Sequence, residues 1–414
     1  MSGTPSDTTA EPSLADPSTA SVAIVGASLA GLSTARELRA LGHTGEITLI
    51  GAEDHLPYDR PPLSKAVLCQ GVTSAPVGLT DDEDLTEFRW RLRSPAIGID
   101  HHAAGHDVQL DDGTSITAAT VVVATGARPR TLIGADMAGV HTLRTLDDAL
   151  ELRESMRRGG HMVVIGAGFV GCEVASSATA AGMSVTIVEA SEAPGAALLG
   201  ARLAHWLHSV HARHGVTLRT GTAIETINGT ARVESVTLAD GTELPADTVV
   251  IGIGALPNTE WAAASGMAID RGFLTDEQCA TAVAGVYAVG DCARVYNAIT
   301  ATHVRQEHWA AALDHARRAA RSLLRLPPPK YTAPYFWSDQ YDLRLQVCGT
   351  IPAGQSPSIV EGNLESDRFV AVYGDVDEPV AVVAAGGGRT FTRLRKHIDR
   401  SEDRRRTAQV LEHQ

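Results

Sequence analysis

Two short glycine-rich segments have the residue types and spacing that bind a diphosphate. Each follows an apolar run and precedes a helix-forming stretch, so each predicts a strand-to-helix turn. Backbone N–H groups in such a turn donate to phosphate oxygens, and the helix N-terminus favours their negative charge. The first turn has a serine where the second has its middle glycine, which weakens the motif but keeps a small side chain with a hydroxyl. The residues of the two turns are Gly26, Ser28, Ala30 and Gly31, and Gly166, Gly168, Phe169, Val170 and Gly171.

A glutamate follows each turn near the place where a dinucleotide-binding unit keeps an acid, roughly 20 residues further on. Glu53 and Glu189 would each accept hydrogen bonds from the two hydroxyls of an adenosine ribose. No lysine or arginine lies between Glu189 and Arg202 to bind a 2′-phosphate, so the second turn predicts a preference for NADH over NADPH. For Glu53 the simpler alternative is a solvated surface carboxylate, like its neighbour Asp54.

The elements that must position these residues occur twice along the chain. Residues 22–53 predict a strand at 22–25, a helix to about 41 and a strand at 47–50. Residues 162–189 predict the same order, with strands at 162–165 and 184–188 on either side of a helix. Two βαβ units of this kind predict two dinucleotide sites.

A β-rich stretch follows each unit. Asp111-Asp112-Gly113 and Asp240-Gly241 are typical of hairpin turns. Strands that end at a glycine are expected at 121–123, 248–251 and 286–289, and a helix from about Glu307 to Leu324. Pro327 to Pro329 then break the chain and predict a linker to a third, smaller α+β domain.

Length and composition restrict the class of protein. A chain of 414 residues exceeds the roughly 250–300 at which one hydrophobic core stops growing, so several domains are expected. A net charge of −14 argues against nucleic acid as a partner, and no apolar run approaches the ~20 residues of a membrane span. Residues 1–20 predict a disordered tail without a secretion signal, and the unpaired cysteines described next fit a reducing cytoplasm. The five cysteines include no C-x-x-C pair, which argues against a disulfide framework or a dithiol site.

Several strings along the chain resemble the FAD-dependent, NADH-using ferredoxin reductases of bacterial oxygenase systems, the putidaredoxin reductase and rhodocoxin reductase type. The similarity runs in order from about Ser21 to about Ile398 and is weakest after Gly349. The matching strings lie at residues 57–65 (PYDRPPLSK), 124–130 (ATGARPR), 143–149 (LRTLDDA), 251–258 (IGIGALPN), 285–293 (GVYAVGDCA), 307–309 (EHW) and 336–341 (FWSDQY).

The resemblance implies roles for the matching positions. Lys65 would lie near flavin N5 in a salt bridge with Glu173, where the pair tunes the flavin without any covalent catalyst. Arg144 would reach the FAD pyrophosphate, and Asp291 would accept from the ribityl hydroxyls. The other implied FAD contacts are Arg60, Ala96, Thr125, Gly126, Glu307, His308, Trp309 and Trp337, with Trp337 covering the ring, and Gly254 is an implied NAD contact.

Plainer interpretations stand beside these roles. Asp291 is also a suitable helix N-cap, and Glu173 could simply complement the dipole of its helix. Trp309 and Trp337 could be core aromatics. Cys69 could be the redox cysteine of an NADH oxidase or peroxidase, although a buried, inert thiol in a helix is the favoured interpretation.

Histidines at helical spacing raise the question of a metal. His205, His208, His211 and His214 succeed one another every three residues, and His161 lies upstream. Since no carboxylate or cysteine completes a ligand set, the sequence predicts no metal site. The helix from Leu203 to Arg213 is then expected to be a surface element with a solvated histidine face.

The resemblance also implies the architecture. We expect a glutathione-reductase-like α/β fold of two Rossmann-type domains plus a small C-terminal α+β domain. The FAD-binding domain would comprise residues 21–128 and 259–330, the NAD-binding domain 129–258, and the C-terminal domain 331–414.

The implied function is transfer of electrons from NADH through FAD to an iron–sulfur ferredoxin that supplies an oxygenase, by a monomer or weak dimer. Arg393, Arg395, Lys396, Arg400 and Arg404 to Arg406 would steer an acidic ferredoxin or merely solubilise the C-terminus. Alternatives are an electron donor to rubredoxin or nitrite reductase, an NADH oxidase, and a redox-sensing flavoprotein similar to apoptosis-inducing factor.

Overall fold

The computed structural model describes residues 16–73 and 77–412. The helices of this part of the chain are α1 (Leu29–Ala40), α2 (Ala66–Gln70), α3 (Asp82–Glu87), α4 (Leu146–Arg157), α5 (Phe169–Ala180), α6 (Ala196–Arg213), α7 (Trp309–Leu323) and α8 (Arg389–Glu412). Short 3-10 helices lie at Pro61–Ser64, Glu260–Ala262 and Gly290–Cys292.

The strands alternate with these helices in the two predicted βαβ units and follow one another in the C-terminal part. They are β1 (Val22–Val25), β2 (Ile47–Ile50), β3 (Arg89–Arg91), β4 (Ala96–His102), β5 (Gly105–Leu110), β6 (Ser115–Ala118), β7 (Thr120–Val123), β8 (Ala127–Pro129), β9 (Val140–His141), β10 (His161–Ile165), β11 (Ser184–Glu189), β12 (Thr217–Thr220), β13 (Ile224–Gly229), β14 (Val233–Leu238), β15 (Glu243–Pro245), β16 (Thr248–Ile251), β17 (Ala255–Pro257), β18 (Phe273–Thr275), β19 (Val286–Ala288), β20 (Ala293–Asn297), β21 (Thr302–Val304), β22 (Tyr335–Gln340), β23 (Leu343–Gly349), β24 (Ser358–Asn363), β25 (Arg368–Gly374) and β26 (Pro379–Ala385).

The first βαβ unit lies in a five-stranded parallel sheet with the order β19-β7-β1-β2-β3. All four residues of β1 and of β2 are buried, because a parallel sheet is covered on both faces. Helix α1 packs against α7 on this sheet, so the first glycine turn and the start of α7 belong to the same layer.

The second unit repeats the arrangement in a parallel sheet with the order β12-β11-β10-β16-β9. Between the two sheets, β8 runs antiparallel to β17, so the chain leaves the first sheet and returns to it side by side. The backbone N–H of Asn258 also donates to the Gly126 carbonyl at this crossing (2.9 Å). The predicted two-unit α/β architecture is confirmed.

The C-terminal part is an antiparallel sheet, in the order β22-β23-β26-β25-β24, with α8 on one face. Leu203, Trp206, Leu207 and Val210 of α6 pack on the other face, among residues such as Phe369. The expectation that α6 is a surface element is therefore wrong: one of its faces is buried by a sheet that lies far along the chain.

The predicted tail divides into two parts. Residues 1–15 lie outside the described residues. Residues 16–20, however, contact the loop after α1: the Thr44 N–H donates to the Ser18 carbonyl (2.8 Å), and the His43 ring nitrogen Nδ1 lies 3.1 Å from the Pro17 carbonyl oxygen. For these five residues the prediction of disorder is wrong.

Candidate functional site

The first glycine of each turn is required by the backbone. Gly26 has φ +126°, and a Cβ there would lie 2.1 Å from the Ala124 carbonyl oxygen. Gly166 has φ +104°, and its Cβ would lie 2.3 Å from the Gly252 carbonyl oxygen. A side chain at either position would break the contact between the turn and the neighbouring strand end.

The last glycine of each turn is required by the close packing of the helix start on the first glycine of the turn. A Cβ at Gly31 would lie 2.0 Å from the Gly26 carbonyl oxygen, and one at Gly171 2.3 Å from that of Gly166. The middle position differs, because a Cβ at Gly168 would meet no atom within 4 Å among the described residues. The fold therefore tolerates Ser28 at the matching place, where φ is −137°.

The two predicted ribose acids occupy different positions. Glu189 ends β11, and its carboxylate accepts hydrogen bonds from the N–H of Ala167, inside the glycine turn, and of Ser191 (2.9 and 2.8 Å). Strand register shows which residue corresponds to it in the first unit. Val188 pairs with the residue before Gly166, and Ile50 pairs with the residue before Gly26. The residue that follows Ile50 is Gly51.

Glu53 therefore lies two residues beyond the position that corresponds to Glu189. Its carboxylate accepts hydrogen bonds from the Tyr58 hydroxyl (2.5 Å) and the Arg60 guanidinium (2.6 Å). A ribose contact of Glu53 stays a prediction.

Five of the described α-helices, α1, α2, α5, α6 and α7, start without a cap from their own N-cap side chain. Within the described residues, Ser28 before α1, Gly168 before α5 and His308 before α7 make no capping hydrogen bond. By contrast, Asp81 and Thr145 form complete capping boxes at α3 and α4. At α1 and α5 the uncapped start coincides with a glycine turn, so its N–H groups are free of a side-chain acceptor where a diphosphate would bind, which fits two dinucleotides.

Lys65 and Glu173 form the predicted ion pair. The Lys65 ammonium lies 2.7 Å from Glu173 Oε2, which also accepts from the Ser64 hydroxyl (2.5 Å). Lys65 also donates to the Pro61 carbonyl (3.0 Å), and the Ser177 hydroxyl donates to the Ser64 carbonyl (2.8 Å). Glu173 is only 5% exposed, so these donors take the place of the water that would bind an exposed carboxylate.

Arg60 joins the first unit to the segment before α4. One of its nitrogens binds Glu53, and another donates to the Arg144 carbonyl (2.6 Å) and lies 3.0 Å from the Tyr58 hydroxyl oxygen. That oxygen also accepts from the Leu146 N–H (3.0 Å). Burial raises the pKa of Tyr58, so its hydroxyl keeps its proton and donates to Glu53.

Arg144 and Asp291 form a second ion pair at 2.8 Å. Gly126 lies close to the Arg144 guanidinium, because a Cβ added at Gly126 would stand 3.1 Å from it. Gly290 lies close to Ala30, because a Cβ added at Gly290 would stand 2.9 Å from the Ala30 Cβ. Asp291 is not a helix N-cap, since it lies inside the 3-10 helix Gly290–Cys292. These residues bring the first glycine turn, the end of β7 and the implied ribityl acid together.

The start of α7 meets the loop that carries Lys65. The Trp309 indole N–H donates to the Asp59 carboxylate (2.9 Å), and burial raises the pKa of that carboxyl. Trp309 packs edge-on against Trp337, with ring centroids 6.0 Å apart. Glu307 pairs with Arg305 and is exposed, so its implied flavin contact stays a prediction.

An aromatic stack joins the second turn to α7 and β22. Phe169, the first residue of α5, packs on Phe336 (5.1 Å between centroids), which stacks on His308 (4.7 Å). Burial lowers the pKa of His308, so the ring is neutral near pH 7. Val170 is exposed beside Phe169.

The remaining predicted contacts lie at strand ends. Thr125 follows β7 and donates through its hydroxyl to the Asn258 carbonyl (2.8 Å). Gly254 follows β16, with φ +97° and the Arg130 side chain 3.9 Å from where its Cβ would stand. Ala96 begins β4 and packs against the core of the first unit. For Ala96 the structure adds no contact with the other site residues.

Basic residues surround a cavity of about 820 Å³ at the start of α8. Arg389, Arg393, Lys396 and Arg400 line it, and no carboxylate of the described residues does. Arg395 lies instead over the Tyr335 ring (4.0 Å), which stacks on Trp337 (5.9 Å between centroids). The side chains of Arg404 to Arg406 lie outside the described part of the chain.

Two expectations about histidine and cysteine are wrong. His211 is 1% exposed and its Nε2 lies 2.9 Å from Gln340 Oε1, so the histidine face of α6 is not solvated throughout. Cys69 lies in helix α2, and its position in a helix is as expected, but its side chain is exposed and not buried. Among residues 16–73 and 77–412 no group of three or more His, Cys, Asp or Glu has the geometry of a metal site.

Comparison with known proteins places the chain in a family. Residues 20–316 match the family model described as pyridine nucleotide-disulphide oxidoreductase, and residues 335–412 match the model described as reductase C-terminal. The chain belongs to the pyridine nucleotide-disulphide oxidoreductase family. The resemblance to ferredoxin reductases is confirmed as well, because the relatives of this oxidoreductase carry that name.

Similar proteins cover most of the oxidoreductase. Rhodocoxin reductase of Rhodococcus erythropolis is 39% identical over 354 residues, which are 84% of this chain and 82% of the relative. Putidaredoxin reductase of Pseudomonas putida is 36% identical over 372 residues, 87% of each chain. The crystal structure of the covalent putidaredoxin reductase–putidaredoxin complex matches with a TM-score of 0.86 at 33% identity, covering 92% of this chain and 93% of that one.

Sequence reasoning missed several residues that hold the site together. Tyr58, Ser64, Ser338 and Gln340 stand in or beside the matching strings, but only the folded chain shows their partners. His315 is a further case: its buried ring accepts from the Gly290 N–H (3.2 Å), next to Asp291. A histidine inside an alanine-rich helix was the one signal that could have drawn attention to it.

Proposed function

We propose that the chain is an NADH-dependent flavoprotein reductase that passes electrons through FAD to a small, acidic iron–sulfur ferredoxin. The observation that carries the proposal is the Lys65–Glu173 pair, which joins the loop after the first dinucleotide unit to the helix of the second. Relatives of this chain are named as ferredoxin reductases of oxygenase systems. Among the described residues no helix is long and apolar enough to cross a membrane.

The protein's residues would bind the two cofactors in the two glycine turns. Bound FAD supplies the redox chemistry, since it accepts two electrons as a hydride from NADH and gives them singly to an acceptor. Gly26 and Gly31 would let the backbone approach the FAD pyrophosphate, and Arg144 with Asp291 would contact the segment between the adenine and flavin rings. Gly166 to Gly171 would hold NADH, and the Glu189 carboxylate repels a 2′-phosphate.

Lys65 would stabilise negative charge on the reduced cofactor, and Glu173 keeps the ammonium in place. Trp309 and Trp337 would shield the site from water, and the N–H groups at the start of α7 would favour negative charge there. In this scheme no side chain serves as nucleophile or general acid.

The thiols argue against disulfide or peroxide chemistry. Burial raises the pKa of Cys172 to about 12 and that of Cys348 to about 12, and it raises the pKa of Cys279 and Cys292 as well. A thiol of this kind carries almost no thiolate at neutral pH and is a poor nucleophile. Cys69 is exposed, so turnover of Cys69→Ser with peroxide or oxygen remains the direct test of that alternative.

The basic cavity at α8 is the proposed docking surface for the ferredoxin. Its four cations contrast with the net charge of −14 of the chain, so an acidic partner would be attracted there and repelled elsewhere. Gln346 lines the cavity and donates to the Tyr335 hydroxyl (2.9 Å). Through Tyr335, Trp337 and Trp309 the cavity is connected to the Lys65 side of the site.

The function is tested on the purified protein. We expect a yellow FAD spectrum that NADH bleaches much faster than NADPH, and NADH-dependent reduction of cytochrome c only when a ferredoxin is present. A protein that stays colourless after incubation with FAD contradicts the proposal.

Docking is tested with Arg393→Glu/Lys396→Glu. We expect a tenfold or greater rise in KM for ferredoxin at low salt, with NADH–ferricyanide activity unchanged. Arg157→Glu, an exposed arginine on α4, is the matched control. An equal effect in the control, or ferredoxin kinetics insensitive to salt, contradicts this docking surface.

A further inference from the structure

A chain of buried hydrogen bonds leads from Glu173 into the C-terminal sheet and back to α6. The Ser338 hydroxyl lies 2.6 Å from Glu173 Oε1, and Gln340 Nε2 lies 3.0 Å from Ser338 Oγ. Gln340 Oε1 lies 2.9 Å from His211 Nε2, and the Tyr341 hydroxyl lies 2.9 Å from His211 Nδ1. Ser338, Gln340 and His211 are 0%, 2% and 1% exposed.

The carboxylate at one end determines the direction of every bond. An ionised carboxylate only accepts, so the Ser338 hydroxyl must donate to Glu173. The Ser338 oxygen then accepts from the Gln340 amide N–H, which leaves the Gln340 carbonyl oxygen to accept from His211 Nε2–H. His211 Nδ1 has no proton and accepts from the Tyr341 hydroxyl. All four donors point toward Glu173.

The protonation states agree with this direction. Burial lowers the pKa of His211 to about 4, so the ring is neutral and can both accept and donate. Burial raises the pKa of Tyr341, so its hydroxyl keeps its proton. Aligned hydrogen bonds polarise one another, which strengthens the last one, to the Glu173 carboxylate.

We propose that Ser338 is a positioning residue for the Lys65–Glu173 pair, and that Gln340 and His211 orient it. Ser338 holds Glu173 Oε1, while Ser64 and Lys65 share Oε2. The Ser338 dipole also screens the negative charge of the carboxylate. Glu173 therefore cancels less of the positive potential that the Lys65 ammonium exerts at the flavin. This series of hydrogen bonds does not serve as a proton channel, because the Gln340 side chain could pass a proton on only by changing to its imidic acid form.

The first test rests on the proposed function and measures the flavin itself. In Ser338→Ala we expect the equilibrium between oxidised and reduced flavin, titrated against a dye of known potential, to shift about threefold to tenfold toward the oxidised form. A change of this size is expected because the Glu173 carboxylate loses one hydrogen bond, and only part of that change in free energy acts on the flavin. The shift should be largely absent when Ser338→Ala is added to Glu173→Gln, because the charge that Ser338 screens is gone.

The matched control is Ser155→Ala. Ser155 is a buried serine whose hydroxyl also bonds to a histidine, His141 (2.9 Å), but it belongs to α4. An unchanged flavin equilibrium in Ser338→Ala, a shift no larger than that of Ser155→Ala, or an equal shift in the Glu173→Gln background overturns the proposal. If Ser338→Ala fails to fold, Ser338→Cys keeps the side-chain size with a weaker donor, and the same equilibrium decides.

The second test does not depend on flavin. Nitrogen NMR of the histidine-labelled protein should show His211 as a single neutral tautomer with the proton on Nε2. In Ser338→Ala the Gln340 amide loses its fixed acceptor, and we expect a mixture of His211 tautomers. A colourless protein that still shows this change in tautomers contradicts the proposed function but not the proposed series of hydrogen bonds. If the unchanged protein instead has the His211 proton on Nδ1, the proposed series of hydrogen bonds is wrong.

Discussion

Tyr58 joins three parts of the site through one oxygen atom. Its hydroxyl donates to Glu53, accepts from the Leu146 N–H at the start of α4, and lies beside the Arg60 guanidinium. The ring also lies under the Arg60 guanidinium, 4.9 Å from it. A phenylalanine would keep the ring contact and remove only the hydrogen bonds.

Tyr58→Phe should therefore lower the free energy of unfolding by about 1–3 kcal/mol, since it leaves partly buried donors without an acceptor. We also expect weaker FAD retention, because Arg60 and the segment at Arg144 lose a common partner. Urea unfolding and FAD titration measure the two effects. Tyr296→Phe, at a partly buried tyrosine for which no hydroxyl contact is resolved in the described residues, should change neither.

His315 and His211 make stability depend on pH. Burial lowers the pKa of each from 6.5 to about 4, so the folded protein binds fewer protons than the unfolded chain between these values. Their contribution is fully present above pH 6.5 and is lost as the pH falls toward 4. A shift of this size corresponds to about 3 kcal/mol for each histidine.

In His315→Asn, the amide oxygen can still accept from the Gly290 N–H. We expect stability at pH 7.5 to fall slightly and its loss between pH 6.5 and 4 to become shallower than in the unchanged protein. Urea unfolding at a series of pH values measures the slope. An identical slope in His315→Asn, or an equal flattening in His205→Asn on the exposed side of α6, would show that the buried ring is not responsible.

At the scale of elements, the two glycine turns share a backbone requirement but differ at the middle position. Gly166 is fixed by its φ of +104° and by the Gly252 carbonyl, whereas Gly168 faces open space. We therefore expect the middle glycine to serve the approach of a ligand rather than folding.

Gly168→Ser should leave the free energy of unfolding within roughly 0.5 kcal/mol of its original value and weaken NADH binding. Gly166→Ala should instead lose about 3 kcal/mol or more, through backbone strain and the clash with Gly252. Urea unfolding and NADH titration of the two variants measure this contrast, and each serves as the control for the other. Equal stability of the two variants would contradict it.

The elements that sequence predicts well are those defined by short-range patterns. The predicted bounds of four strands agree with the structure to within about one residue, because apolar runs and glycine breaks define them. These strands are β1, β2, β10 and β11. The two-residue offset of Glu53 from the position that corresponds to Glu189 could not be predicted, because register between strands, not distance along the chain, decides which residue faces the turn. The role of Ser338 could not be predicted, since its partner Glu173 lies 165 residues away.

At the scale of the molecule, α6 binds the C-terminal sheet to the second dinucleotide unit. Trp206 packs edge-on against Phe369 (4.8 Å), and its indole N–H donates to Asp367 (2.9 Å). Arg213 forms an ion pair with the same carboxylate (2.6 Å), and the Tyr373 hydroxyl donates to the Leu199 carbonyl. The sequence predicted an exposed helix with solvated histidines. That prediction was wrong because the sheet that covers α6 comes from residues far along the chain.

Trp206→Ala should cost about 3–5 kcal/mol and loosen the C-terminal sheet from α6. We expect limited proteolysis to cut the variant near Pro327 to Pro329 and to release the C-terminal part, while the unchanged protein resists. Arg213→Ala removes the exposed ion pair and a hydrogen bond to the Ser209 hydroxyl, and should cost less than about 1 kcal/mol. Equal protease resistance of Trp206→Ala and the unchanged protein would argue against this role of α6.

The uncapped starts of α1, α5 and α7 should make the stability of the protein depend on its bound nucleotides. A newly made chain without its nucleotides keeps several N–H groups at these starts without a side-chain acceptor, so their first turns should exchange hydrogen fastest. Ligand binding stabilises a fold in proportion to the logarithm of ligand concentration. Steady-state abundance should therefore follow vitamin supply, with riboflavin starvation leaving an apoprotein that proteases remove.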